Sequence, residues 1–131
     1  MTNLAGQAVL DLAVLTDMYG DDSSETICQV LSRFRDEATL YMVKLQQAAE
    51  DGQFSEIARL SHSLKSMSAL IGAVQLMVLC QTAEQAARQS EQASLTDSWL
   101  ILDTVWPALL NELNSSLQIH NNSLLQNDAN V

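Results

Sequence analysis

Residues 54–71 have the sequence FSEIARLSHSLKSMSALI, and the spacing of the apolar residues in this stretch decides the fold class. The apolar residues recur every three or four positions: Phe54, Ile57, Leu60, Leu64, Met67 and Ile71. Such spacing places them on one face of an α-helix. The stretch therefore predicts an amphipathic helix with one buried face, which weakens near Gly72.

The same periodicity continues on both sides of this stretch. Upstream, a long helix is predicted by the apolar positions Ile27, Leu31, Phe34, Ala38, Tyr41, Leu45 and Ala48. Asp22 and Glu25 predict a capping box at its start. A helix downstream is predicted by Ala73, Leu76, Cys80, Ala83 and Ala87. Another, starting near Thr96, is predicted by Leu102, Val105, Leu109 and Leu113. Because the polar breaks between these helices are short, neighbouring helices should be antiparallel.

These elements predict an all-α fold, an up-down-up-down four-helix bundle with a short N-terminal helix, about residues 7–18, across one end. Pro107 lies inside the last helical pattern, where it should kink the helix without ending it. We expect one domain over residues 1–118, followed by a polar, frayed tail over residues 119–131.

Composition and charge narrow the function classes. The chain has 131 residues, 47% of them hydrophobic, and six basic against sixteen acidic side chains give a net charge of -10. This charge should repel nucleic acid and anionic lipid. The longest mostly apolar run, residues 69–80, is too short to cross a bilayer, and no positively charged segment precedes Arg33. We therefore expect neither secretion nor membrane insertion. Cys28 and Cys80 lack metal-ligand spacing and are expected to be buried free thiols, which fits a reducing cytoplasm.

His62 is the residue on which a function can be based. At about 100° per residue it lies about 200° from Leu60 and Leu64, which places it on the solvent side of its helix. The neighbours within one turn that share this side are Arg59, Lys65 and Ser66. An exposed imidazole is largely neutral at cellular pH, so a ring nitrogen has a lone pair for attack on phosphorus. Nearby cations would stabilise the phosphoryl oxygens, and the small residues Ser63, Ser66 and Ala69 would let a second protein approach.

Spacing alone leaves a simpler interpretation open, because a histidine between serines on a polar helix face is usually only a solvated side chain. His120, in the polar tail, is expected to be such a residue. Neither histidine lies in a Glu-x-x-His pair, so no metal site is predicted. Ser61 and Ser63 should point away from His62, so no serine nucleophile with an oriented base is predicted.

The segment His62-Ser63-Leu64-Lys65-Ser66-Met67-Ser68, followed by Gly72-Ala73, resembles the signature of histidine phosphotransfer (HPt) domains. In that signature, His-x-Leu-Lys and three small residues precede Gly-Ala or Gly-Leu. The flanking stretches 57–61 and 76–88 also resemble the family, and the resemblance covers about residues 22–113. Met67 departs from the pattern, because the family usually has a small residue there. It falls on the inward stripe, so it should alter packing without blocking access to His62.

The resemblance implies a role for each matching residue. His62 resembles the phosphoryl acceptor, and Lys65 the lysine that stabilises the phosphoryl group. Ser66 and Gly72 resemble positions where small size permits partner approach and helix packing, and Glu84 a position where Gln or Glu orients the imidazole. At the end of the first helix we expect a docking patch for a receiver domain, to which Leu15, Met18 and Tyr19 contribute.

The resemblance further implies a phosphoryl carrier between aspartates of receiver domains, on response regulators and hybrid sensor kinases, in a two-component phosphorelay. No cofactor is expected on this chain, since the Mg²⁺ would belong to the receiver. No nucleotide-binding loop occurs, so no ATP hydrolysis or autokinase activity is expected, and the carrier should be a monomer. The alternatives are a helical adaptor that binds a receiver or helical partner without being phosphorylated and an unrelated structural bundle.

Overall fold

The computed structural model describes residues 4–129, and side chains as far as residue 126. Its helices are α1 (Leu12–Tyr19), α2 (Ser24–Glu50), α3 (Phe54–Ile71), α4 (Val74–Arg88) and α5 (Gln92–Ala129). Within the described range there is no strand. Helices α2 to α5 pack in a ring, each against the next and α2 against α5, while α1 packs on α3. The predicted all-α four-helix bundle with a short N-terminal helix is confirmed.

The core consists of the predicted stripes. Most of the inward positions named from the sequence are buried on all four long helices, and Leu31, Leu64, Leu109 and Leu113 are fully buried. The four that are only partly buried are Tyr41, Phe54, Met67 and Leu102. Periodicity alone therefore identified the buried face of each helix.

The starts of three helices differ from the prediction. The Asp11 side chain accepts a hydrogen bond from the Ala13 N–H, so α1 begins at Leu12 instead of residue 7. The cap of α2 is Ser23, whose Oγ accepts from the Thr26 N–H at 3.3 Å, so the capping box assigned to Asp22 and Glu25 is wrong.

Helix α5 begins at Gln92, before the predicted Thr96. Its first two residues, Gln92 and Ala93, are exposed and add nothing to the apolar stripe, but the same turn brings the fully buried Leu95 into the core. The helix passes through Pro107, as predicted, and continues to Ala129. Within the expected tail, Leu124 packs against the core, and the fraying of residues 119–131, the last two of which lie outside the described residues, stays a prediction. The kink at Pro107 stays a prediction.

Gly72 joins α3 to α4 and fixes the position of α1. Its φ is +79°, and a Cβ there would lie 2.0 Å from the backbone oxygen of Asp11. Only glycine permits both this left-handed conformation and this approach. The Asp11 N–H donates to the Gly72 carbonyl at 2.9 Å. The N-terminal segment therefore covers the end of α3, which lies nine residues beyond His62, about 14 Å along the axis.

Candidate functional site

His62 lies on the exposed side of α3, as predicted. Its side chain is 57% exposed, whereas Leu60 and Leu64 on the opposite side are buried. The packing of α3 against α2 and α4 through its apolar stripe leaves this face toward solvent. The imidazole is therefore accessible to a second protein.

A buried carboxylate on α4 holds the imidazole. His62 Nδ1 lies 3.0 Å from Glu84 Oε2, and Lys65 Nζ donates to Glu84 Oε1 at 2.9 Å. Arg88, one turn further along α4, donates to Oε2 through Nη2 at 2.8 Å and through Nε at 3.2 Å. Glu84 itself is 7% exposed. One buried carboxylate thus binds an imidazole, an ammonium and a guanidinium.

The charge state of Glu84 decides which nitrogen of His62 is free. Burial opposes ionisation of Glu84, but hydrogen bonds from Arg88, Lys65 and His62 outweigh it and lower its pKa from 4.5 to about 2. An ionised carboxylate only accepts hydrogen bonds. The nearby Nδ1 must then carry the ring proton, so the lone pair of the neutral imidazole is on Nε2.

Two residues expected near the imidazole bond elsewhere. The Arg59 Nε donates to Glu56 Oε2 at 3.0 Å, and the Ser66 Oγ donates to the main-chain carbonyl of His62 at 3.3 Å. Neither side chain is hydrogen-bonded to the imidazole, because each finds a partner one turn away on its own helix. Arg59 does line a depression of about 610 Å³ together with His62, Ser63 and Arg88.

The predicted docking residues divide into two groups. Met18 and Tyr19 are 58% and 49% exposed. Leu15 is fully buried in the core, so its assignment to a docking patch is wrong. An eight-residue helix laid on the bundle buries one side, and Leu15 lies on that side. Ser63 and Ala69 are partly exposed.

Exposed apolar surface continues from Tyr19 onto α3. Tyr19 lines a groove of about 240 Å³ with Met67 and Leu70 among other residues. Leu70 is 42% exposed and was not predicted to be part of the docking patch. It lies eight residues after His62, just over two turns along α3 and about 80° further around it.

Arg88 is the site residue that sequence reasoning missed. Its spacing of four from Glu84 is a signal for an ion pair on one helix. The sequence does not show that Glu84 also reaches His62 and Lys65, because that contact depends on how α3 packs on α4. The predicted proximity of Glu84 to the imidazole, in contrast, is present in the structure.

The second histidine and the two cysteines are at least partly buried. His120, expected to be solvated, is partly buried, and its Nδ1 lies 2.9 Å from the Ser24 Oγ. That expectation is wrong because α5 continues as a helix alongside the start of α2. Both cysteines are buried thiols, and burial raises the pKa of Cys80 to about 12.

The described residues offer neither a metal-binding cluster nor a membrane-spanning helix. Between residues 4 and 129, no group of three His, Cys, Asp or Glu side chains is arranged to hold a metal ion. In the same part of the chain, none of the helices combines the length and apolar character needed to span a bilayer.

Comparisons with known proteins agree with this architecture. The family model for the Hpt domain matches residues 29–118. Among solved structures, the chain is similar to the crystal structure of histidine-containing phosphotransfer protein B (HptB) from Pseudomonas aeruginosa PAO1. The two share 24% sequence identity with a TM-score of 0.58, over 94% of this chain and 96% of that one. No curated protein sequence matches the chain.

Proposed function

The chain belongs to the Hpt domain family and acts in phosphoryl transfer in a phosphorelay, and we propose that His62 is its phosphoryl acceptor. The observation that carries this proposal is the contact of Nδ1 with the ionised Glu84, which leaves the lone pair on Nε2 of an exposed side chain. The other histidine, His120, has only a serine hydroxyl at Nδ1.

The transfer step follows from this tautomer. Nε2 attacks the phosphorus of a receiver phosphoaspartate, a P–Nε2 bond forms, and the P–O bond to the aspartate breaks. The electron pair of the broken bond leaves with the aspartate carboxylate. The imidazole gains positive charge while Nδ1 keeps its proton, and the Glu84 carboxylate stabilises that charge. Transfer to the next receiver reverses these changes.

Lys65 is the proposed partner of the phosphoryl oxygens. It lies one turn after His62, its side chain is partly exposed, and it binds the same carboxylate as the imidazole. Because phosphoryl transfer depends mainly on positioning and charge stabilisation, an ammonium that turns to the phosphoryl group on Nε2 would contribute directly to the rate. The Mg²⁺ of the reaction belongs, in this proposal, to the acidic site of the receiver.

The proposed partners are receiver domains of response regulators and hybrid sensor kinases. Arg59, Lys65 and Arg88, three of the six basic residues, lie around His62 in a chain of net charge -10. A local excess of cations suits an acidic phosphorylation site on the partner. Met18, Tyr19 and the neighbouring Leu70 supply exposed apolar surface for docking. We propose that the carrier works in the cytoplasm as a monomer.

The test is phosphate labelling from a receiver domain. A receiver phosphorylated beforehand with acetyl phosphate is mixed, with Mg²⁺, with the unaltered protein, with His62→Gln and with His120→Gln as the matched control. We expect acid-labile, base-stable label on the unaltered protein and on His120→Gln, and none on His62→Gln.

Two results would contradict the proposal. Label that persists on His62→Gln would place the acceptor elsewhere. Binding of several receivers without any label on the unaltered protein would favour the adaptor that binds a receiver and is not phosphorylated.

A further inference from the structure

The hydrogen bonds to Glu84 come from two different helices. His62 and Lys65 reach the carboxylate from α3, whereas Arg88 belongs to the same helix as Glu84. Lys65 contacts Oε1, and Arg88 contacts Oε2 through two nitrogens. The contact from Arg88 therefore does not depend on what happens on α3.

Phosphorylation of His62 sets up a competition for Lys65. Before transfer, its ammonium is bound to Glu84 at 2.9 Å. After transfer, the same ammonium faces both this carboxylate and a phosphoryl group whose charge is about -1.5 to -2. A carboxylate as buried as Glu84 is costly to leave without a cation. Lys65 can turn to the phosphoryl group only if another cation stays with Glu84.

We infer, on the basis of the proposed function, that Arg88 is the positioning residue that holds Glu84 when Lys65 turns to the phosphoryl group. Its guanidinium pairs with Oε2 from one turn along α4. Glu84 then keeps its place and continues to accept the hydrogen bond from Nδ1. Arg88 acts through Glu84 and does not itself contact Nε2.

Loss of Arg88 should affect the phosphorylated protein and the unphosphorylated protein differently. Without phosphate, Lys65 and His62 still bind Glu84 if Arg88 is removed, so the ring tautomer stays the same. With phosphate, removal of Arg88 leaves one ammonium for two anions. The loss should therefore appear in the stability of the phosphorylated state and not in the folded, unphosphorylated protein.

A double-mutant cycle tests the inference. The full chain is equilibrated with a receiver domain that labels it, and the ratio of phosphohistidine to phosphoaspartate is measured. We expect Arg88→Ala to lower this ratio about tenfold, the effect of one hydrogen bond to a charged group. Arg88→Lys should restore most of it. In a Glu84→Gln background, Arg88→Ala should change the ratio less than about threefold, because a neutral amide needs no cation.

The matched control is Arg35→Ala, which removes another arginine paired with an acid on its own helix, Asp36, and which lies outside the groove lined by Tyr19. It should leave the ratio unchanged, and ¹⁵N spectra of the unphosphorylated Arg88→Ala protein should show the His62 tautomer of the unaltered chain. A ratio unaffected by Arg88→Ala, or lowered equally with Glu84→Gln, overturns the inference while labelling of His62 still stands. Absence of label on the unaltered protein overturns both the inference and the proposed function.

Discussion

The two histidines of the chain each bind a neighbour through Nδ1, but the neighbours differ in kind. His62 contacts a buried carboxylate that two cations also bind, whereas His120 contacts the hydroxyl of Ser24. An ionised carboxylate only accepts hydrogen bonds, while a hydroxyl both donates and accepts. The first partner therefore fixes a tautomer and the second does not. Proximity of a polar group is not enough to prepare an imidazole for phosphoryl transfer, because the partner must also be limited to one hydrogen-bonding role.

Among the variants that test the difference between His62 and His120, removal of the Lys65 ammonium should have the largest effect on the rate of phosphoryl transfer. We expect Lys65→Ala to slow phosphoryl transfer to His62 about 100-fold, as loss of a charge-stabilising donor typically does. Lys65→Arg should retain part of the rate. The measurement is the initial rate of labelling from a phosphorylated receiver.

Lys44→Ala is the control, since Lys44 is the only other lysine and contacts the Tyr41 ring on α2. It should label at the rate of the unaltered protein. Equal rates for Lys65→Ala and Lys44→Ala would show that cations beside His62 do not distinguish it from His120.

The ionised state of Glu84 can be tested through the pH dependence of stability. Its pKa is lowered in the fold from 4.5 to about 2. A carboxyl with a lowered pKa stabilises the fold at pH above its unfolded value, and that contribution is lost as the pH falls from about 5 to about 2. We expect the loss to be about 1–3 kcal/mol, measured by urea unfolding at a series of pH values.

Glu84→Gln should flatten this part of the pH profile, because an amide does not titrate. Asp21→Asn, just before α2, is the comparison variant, since Asp21 is exposed and hydrogen bonds from Thr26 and Ser23 lower its pKa. It should change the profile less than Glu84→Gln does. Parallel profiles for Glu84→Gln and the unaltered chain would mean that Glu84 is not ionised more readily in the fold, and the tautomer argument for His62 would fail.

The sequence predicted the features that depend on periodicity. Leu60 and Leu64 are buried and His62 is exposed because a helix with one apolar stripe has only one way to pack. The resemblance placed Glu84 near the imidazole. The sequence did not predict the Ser23 cap, because the cap depends on the backbone angles of the turn, or the burial of Leu15, because a short helix has no long stripe to mark its covered side.

The partners of the charged side chains were the least predictable part of the site. Arg59, three residues before His62, turns back to Glu56, while Arg88, distant in sequence, joins the site through Glu84. Long surface side chains choose among several partners at nearly equal free energy. Both arginines bind an acid one turn away on their own helix, and the packing of α3 on α4 then brings only the Glu84–Arg88 pair to His62. A sequence pattern on one helix does not contain that information.

The smallest expected effect concerns the other histidine. Ser24→Ala removes the hydroxyl that contacts His120 and should lower the free energy of unfolding by about 1 kcal/mol or less, because the ring is only partly buried and water can replace the hydroxyl. Labelling of His62 should be unchanged, as the Ser24 contact joins the start of α2 to α5. If Ser24→Ala reduced labelling as strongly as Lys65→Ala, the region around His120 would be coupled to phosphoryl transfer. The contrast between a partner that fixes a tautomer and one that does not would then be an incomplete account of why His62 is the acceptor.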